Sequence, residues 1–212
     1  MKKYKFIFYF ILMASTSCKS QVNQHLASKK IKSEADLLND KALKTSGATC
    51  NKDSLEKAIK LFERAIKLDN TVPLFYSNEA EIFCSLKKYK DAIKVLNRFL
   101  YYFPVNLSME VFKGYIYEKT GDIDSAEICY SDAMSHYNME IQENPNNISI
   151  QLNRALLLFF TQGNSQAIVE YNRISKKFPN SESVKFLRED FYSFDRKSYI
   201  NQLFSNCNGS PE

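Results

Sequence analysis

Few residues in this 212-residue chain could do chemistry, and their spacing does not assemble them. The two histidines are His25 and His136, and neither lies in an H-E-x-x-H pair of the kind that holds zinc. No C-x-x-C, no G-x-S-x-G elbow and no glycine-rich phosphate loop occurs. Glu79 and Glu81 are close in sequence, but residues i and i+2 face apart on a helix, so they cannot work as an acid–base pair. The chain therefore reads as no enzyme, with no metal, no cofactor and no small-molecule substrate. Cys50 and Cys84 are 34 residues apart. A disulfide needs Cα atoms about 5.5 Å apart, whereas stacked helices lie about 8–10 Å apart. A bridge would require the loop holding Cys50 to bend inward. Cys129 reads as a small core or surface residue, and Cys207 sits in a polar tail.

Cys18 has a different setting. Lys2, Lys3 and Lys5 precede the apolar run Phe6 to Ala14, and Ser15, Thr16 and Ser17 are small. This is the layout of a secretory signal peptide over residues 1–17. The run falls short of the ~20 apolar residues that a spanning helix needs. A Cys directly after small residues resembles the lipobox of bacterial lipoproteins, with Ser15 where that family usually has Leu. The resemblance implies that Cys18 becomes the mature N-terminus and carries a diacylglycerol. The competing reading is an ordinary cleaved signal with an incidental Cys. Lys19 follows, not Asp, which by analogy with enteric lipoproteins points to an outer-membrane anchor facing the periplasm or the surface. Residues 18–33 are polar and cannot bury enough surface to order themselves. They read as a flexible tether that reaches on the order of 20 Å.

Charge excludes one class of partner. The formal charge is +5, but Lys2, Lys3 and Lys5 belong to the leader; without them 26 basic residues face 24 acidic ones, a balance of +2. No basic face is clustered, so no nucleic-acid footprint is expected.

The elements that would position any site are helical. Glycine is scarce, and proline falls between periodic segments. "SLEKAIKLFERAIKLD" sets Leu55, Ala58, Ile59, Phe62, Ala65 and Ile66 on one face. Ala58, Ala92 and Ala126 recur at 34 residues, as do Phe62, Leu96 and Tyr130, and as do Ala80 and Gly114. Pro104, Pro145 and Pro179 close units. This pattern resembles the tetratricopeptide repeat, a 34-residue helix-turn-helix. The small residues allow helix axes to approach within about 8–10 Å. Ala126 to Ala167 and Pro104 to Pro145 are each 41 residues. The extra seven equal two helical turns and rotate the face by only about 20°. The spacing predicts a lengthened helix with Tyr130, Ala133, Met134, Tyr137 and Ile141 on one stripe. Lys113 and Arg154 stand where the family has Leu, and Tyr76 takes the place of its Trp.

The resemblance implies an all-α, right-handed superhelix of about four repeats over residues 34–181. Capping helices follow over 182–204, then a disordered tail over 205–212. In the first unit, "SEADLLNDKALKTS" reads as a helix and "GATCNKD" as a longer turn. A terminal repeat exposes its apolar face unless a cap covers it.

In that family the first helices line a concave groove for a peptide or partner helix. Carried over, the groove residues are Glu81, Val111, Tyr115, Glu118, Leu152, Leu156, Phe159, Phe160 and Phe186. Tyr115, Phe159 and Phe160 would be the aromatic anchors. "ALLLFF" either lines an open groove or packs against the cap helix or the lengthened helix. The expected function is a lipid-anchored envelope scaffold that binds another protein or peptide. The alternatives are an envelope assembly factor, for outer-membrane proteins or pilus secretins, and an immunity protein against a toxin.

Overall fold

The computed structural model describes residues 33–49 and 51–204. The leader, Cys18, nearly all of the tether, Cys50, Cys207 and the tail lie outside the described residues. Within them the regular structure is entirely α-helical, and it divides into two compact units, residues 33–104 and residues 105–203.

The first unit holds α1 (Glu34–Thr49), α2 (Lys52–Leu68), α3 (Pro73–Ser85) and α4 (Tyr89–Tyr102). Local chemistry fixes their starts. Ser33 and Asp36 cap α1 reciprocally, Asp36 N donating to Ser33 Oγ at 3.1 Å and Ser33 N to Asp36 Oδ2 at 3.2 Å. Asn51 Oδ1 accepts from Ser54 N at 2.9 Å to cap α2, and Pro73 opens α3 at a position where its missing N–H costs nothing. The six stripe residues of α2 are all buried. Ala42, Ala58 and Phe62 form a small core against which Leu61 and Ile82 pack. Tyr76, in the place of the family's Trp, is buried. Its hydroxyl donates to Asn70 C=O at 3.2 Å, and Arg98 lies 5.3 Å above its ring.

One expectation needs correction. Residues 47–49 belong to α1 and not to a long turn. A glycine inside a helix costs about 1 kcal/mol. Packing of Ala42 and Ser46 on the buried side carries the helix through Gly47 regardless.

The second unit holds α5 (Leu107–Thr120), α6 (Ile123–Glu143), α7 (Ile148–Thr161), α8 (Asn164–Lys177), α9 (Glu182–Tyr192) and α10 (Arg196–Leu203). Asn106, Asp122, Asn147 and Ser181 supply side-chain N-caps. Gly121, at φ 84°, ends α5 in the left-handed region that disfavours a Cβ. The seven extra residues sit in α6, one unbroken helix of 21 residues. Tyr130, Ala133 and Tyr137 are buried along its stripe.

In each hairpin the recurring small residues meet their partners. Ala58, Ala80, Ala92, Ala126, Ala155 and Ala167 are fully buried, and Gly114 lies directly under the Tyr130 ring. The two cations that replace Leu find carboxylates. Lys113 pairs with Glu110 at 2.9 Å, and Arg154 pairs with Glu170 at 3.0 Å and donates to Asn138 Oδ1 at 2.6 Å. Half-buried cations at hairpin contacts are tolerated because each has a partner within hydrogen-bond reach.

Candidate partner-binding groove

In the first unit the candidate surface is the exposed side of α3. Leu74 is exposed, Ser77 is buried with its hydroxyl donating to Leu74 C=O at 3.1 Å, and Glu81 is half-buried. Desolvation pushes the Glu81 carboxyl up to about 7. Cys84 is buried with a free thiol, raised by burial and by Glu81. A thiol kept protonated this way is a poor nucleophile. Cys129 is also free and buried, its thiol pushed up to about 12, mainly by desolvation.

The neighbouring α3 carboxylate, Glu79, turns inward. It is buried and accepts from Arg98 Nη2 at 2.9 Å. Burial still pushes its carboxyl up to about 7, with the Glu63 charge adding to the rise. Glu79 and Glu81 thus have separate environments and form no acid–base pair. Among the described residues no group of three or more His, Cys, Asp or Glu could hold a metal ion.

In the second unit the groove residues come together, and the chain itself covers them. Val111 and Tyr115 on α5 are buried, as are Leu152, Leu156, Phe159 and Phe160 on α7. The cover over Tyr115, Phe159 and Phe160 is the segment that starts at Phe194 and continues into α10. Phe194 stacks on Phe159 with ring centroids 4.0 Å apart. Tyr199 meets Tyr115 edge-on at 5.5 Å and Phe160 at 5.8 Å. Below them Phe160 contacts Tyr115 at 4.9 Å and Tyr130 at 5.3 Å. Such ring pairs add about 0.5–1.5 kcal/mol each beyond area burial.

Polar contacts fix the register of this cover. Arg196 donates to both Glu118 oxygens, Nε to Oε1 at 2.7 Å and Nη2 to Oε2 at 3.0 Å, and Nη1 donates to Phe160 C=O at 3.2 Å. Tyr130 Oη donates to the same Glu118 Oε2 at 2.8 Å. The Glu118 carboxylate holds the Arg196 guanidinium above its ordinary range. Burial, with Glu118 next, raises the Tyr130 phenol. Lys119 Nζ donates to Asn201 Oδ1 at 2.9 Å. Phe186 is on α9 and 48% exposed.

Three groove contacts were not among the sequence candidates: Phe194, Arg196 and Tyr199. Their spacing, aromatic-x-Arg-x2-Tyr, is the signal that could have marked them. The two readings left open for "ALLLFF" resolve in the second unit toward packing on the chain's own C-terminal segment.

Residues 111–135, from within α5 to within α6, match the family model of the tetratricopeptide repeat. None of the curated proteins matches this chain. Among solved structures, a tetratricopeptide repeat protein from Parabacteroides merdae ATCC 43184 is similar at 19% identity. The likeness covers 82% of this chain and 68% of that chain, with a TM-score of 0.42.

Proposed function

We propose that the chain, whose residues 111–135 match the tetratricopeptide repeat model, is a non-catalytic tetratricopeptide-repeat scaffold that captures another protein or peptide and is held at the cell envelope by a lipid on Cys18. Binding is assigned to the first-helix faces of the hairpins. One observation supports this above the others: Tyr115, Glu118 and Phe160 in the second unit present aromatic rings and a carboxylate to a helix laid across them. Large flat rings around one charged hydrogen-bonding group are the makings of an interface anchor. Val111, Leu152 and Leu156 are buried and do not themselves project. Glu81 on α3 of the first unit and Phe186 on α9 of the second are separate further candidate positions.

The envelope part rests on the order of residues 1–18: three lysines, an apolar run, small residues, then Cys18. One acyl group gives only marginal anchoring, and two or more give stable attachment. Among the described residues no helix is long and apolar enough to cross a membrane.

The test is mass spectrometry of the mature chain made in a bacterial host, alongside membrane fractionation. The expected product begins at Cys18 with a thioether-linked diacylglycerol, and Cys18→Ser moves the protein out of the membrane fraction. A mature chain that begins elsewhere, with an unmodified Cys18, would end the lipid-anchor reading. Binding is read separately, by photo-crosslinkers placed at Glu81 and Phe186 in living cells. No crosslinked protein from either position would count against the scaffold reading.

A further inference from the structure

The last helix does not act as a cap. That role falls to α9: Phe191 stacks on Tyr171 at 4.4 Å, and Tyr171 Oη donates to Val184 C=O at 2.7 Å. Val184, Leu187 and Phe191 are buried there. The chain then breaks at Ser193–Asp195, and α10 lies back on α5, so that 78 residues separate Arg196 from Glu118.

What α10 brings resembles what a foreign helix would bring. With Phe194 just ahead of it, the helix offers two ring anchors, Phe194 and Tyr199, a buried aliphatic at Ile200, a guanidinium forked on a carboxylate, and an amide oxygen that accepts from Lys119. It is also weakly self-sufficient. Eight residues fall well below the ~12–15 that an isolated helix needs to persist in water. The Arg196 side chain is 37% exposed, so its pairing with Glu118 is partly screened. Tethering adds to these contacts in keeping the segment seated, because the effective concentration of a tethered ligand is on the order of mM.

We infer that α10 stands in for the partner. The groove of α5 and α7 takes a short helix of another protein that carries aromatic-x-Arg-x2-Tyr-Ile, the pattern of Phe194, Arg196, Tyr199 and Ile200. The chain's own copy competes for the same place. This rests on the scaffold reading and supplies the chemistry of the ligand that reading leaves open. Glu118 selects the cation, and the pocket between Tyr115 and Phe160 selects the phenol ring. A partner must displace α10, so its apparent affinity is reduced by the fraction of chains in which the groove is open.

The probe is a fluorescein-labelled peptide of residues 193–204, titrated by anisotropy against the full chain. The same titration is made against the full chain with Arg196→Glu plus Tyr199→Ala, which unseats α10 and leaves the groove intact. The expected result is saturable binding at least about tenfold tighter to the variant than to the wild type. It should be abolished when the peptide itself carries Arg196→Glu. If the double variant does not unfold cooperatively, Arg196→Gln replaces it, with a smaller gain in the same direction. Hydrogen exchange over residues 196–203 confirms release in either variant. A released variant with wild-type helicity that gives no saturable binding overturns the inference, and so does equal affinity for both chains. Either outcome leaves capture at Glu81 or Phe186, and so the scaffold reading, standing. A wild-type chain that forms dimers by exchanging α10 also overturns it, because the occupant would then be a second copy.

Discussion

Arg196 and Glu118, 78 positions apart in the chain, are joined by a two-pronged hydrogen bond, 2.7 Å on one side and 3.0 Å on the other. Glu118 also receives the Tyr130 hydroxyl, so one carboxylate ties α5 to α6 and to α10. The pair is unevenly buried, Glu118 at 12% and Arg196 at 37% exposure, which limits its net worth. Arg196→Gln should cost about 1–2 kcal/mol, less than a fully buried pair would, because water reaches the arginine end. Glu118→Gln should cost at least as much, since its amide hydrogens would face the Arg196 donors. A double-mutant cycle by urea unfolding should give a coupling near 1 kcal/mol. Strict additivity would mean that the fork adds nothing beyond packing.

Gly114 and Gly47 should respond oppositely to the same substitution. A Cβ at Gly114 would lie 2.8 Å from Tyr130 Cδ1 and closer still to Cε1. The ring cannot retreat, because Glu118 holds its hydroxyl and Phe160 packs on it. Gly114→Ala should destabilise by about 1–3 kcal/mol despite the better helix propensity of alanine. At Gly47 a Cβ would meet nothing within 4 Å, so Gly47→Ala should stabilise by about 0.5–1 kcal/mol. Thermal unfolding of the two variants, side by side, checks both signs.

Phe160 and Phe186 differ in the same way as tools. Phe160 is buried among Tyr115, Tyr130, Phe194 and Tyr199, so Phe160→Ala should cost about 3–5 kcal/mol and unsettle the unit. Phe186 is half exposed, and Phe186→Ser should cost less than about 1 kcal/mol. Calorimetry would show a large fall in Tm for the first and little change for the second. Lost binding in a Phe160 variant would therefore report folding, and only Phe186 can report contact.

The hairpins were legible because helix crossings accept only small residues. Ala58, Ala92 and Ala126 could be found by their period alone, and each is fully buried. The lengthened α6 was legible because seven residues preserve the phase of the Tyr130–Tyr137 stripe. Groove occupancy was not legible. A ring such as Phe159 looks the same in sequence whether it faces a partner or Phe194 of its own chain, because both contacts ask for an apolar surface. The pairing of Lys113 with Glu110 could be read from i, i+3 spacing. That of Arg154 with Glu170 crosses between helices and has no local signal. Gly47 misled because a local preference of about 1 kcal/mol is small beside the packing of a helix face.

Glu79 should make the first unit less stable as pH rises, the reverse of the usual carboxylate effect. Burial outweighs the Arg98 contact and lifts the Glu79 carboxyl from an ordinary 4.5 to about 7. A raised folded-state pKa means that the folded chain holds more protons than the unfolded chain between those two values. Stability from this group is therefore full below about pH 4.5 and declines as pH climbs toward 7, by on the order of 3 kcal/mol at most. Arg98 faces the group directly, Glu63 adds to the rise, and Glu81, also near 7, contributes a slope of the same sign. Glu79→Gln removes one of these titrations and keeps an oxygen for Arg98. Tm measured at pH 5, 6.5 and 8 should show the Gln variant gaining on the wild type at each step. If the wild type gains instead, the arginine governs the site and the carboxylate is charged throughout.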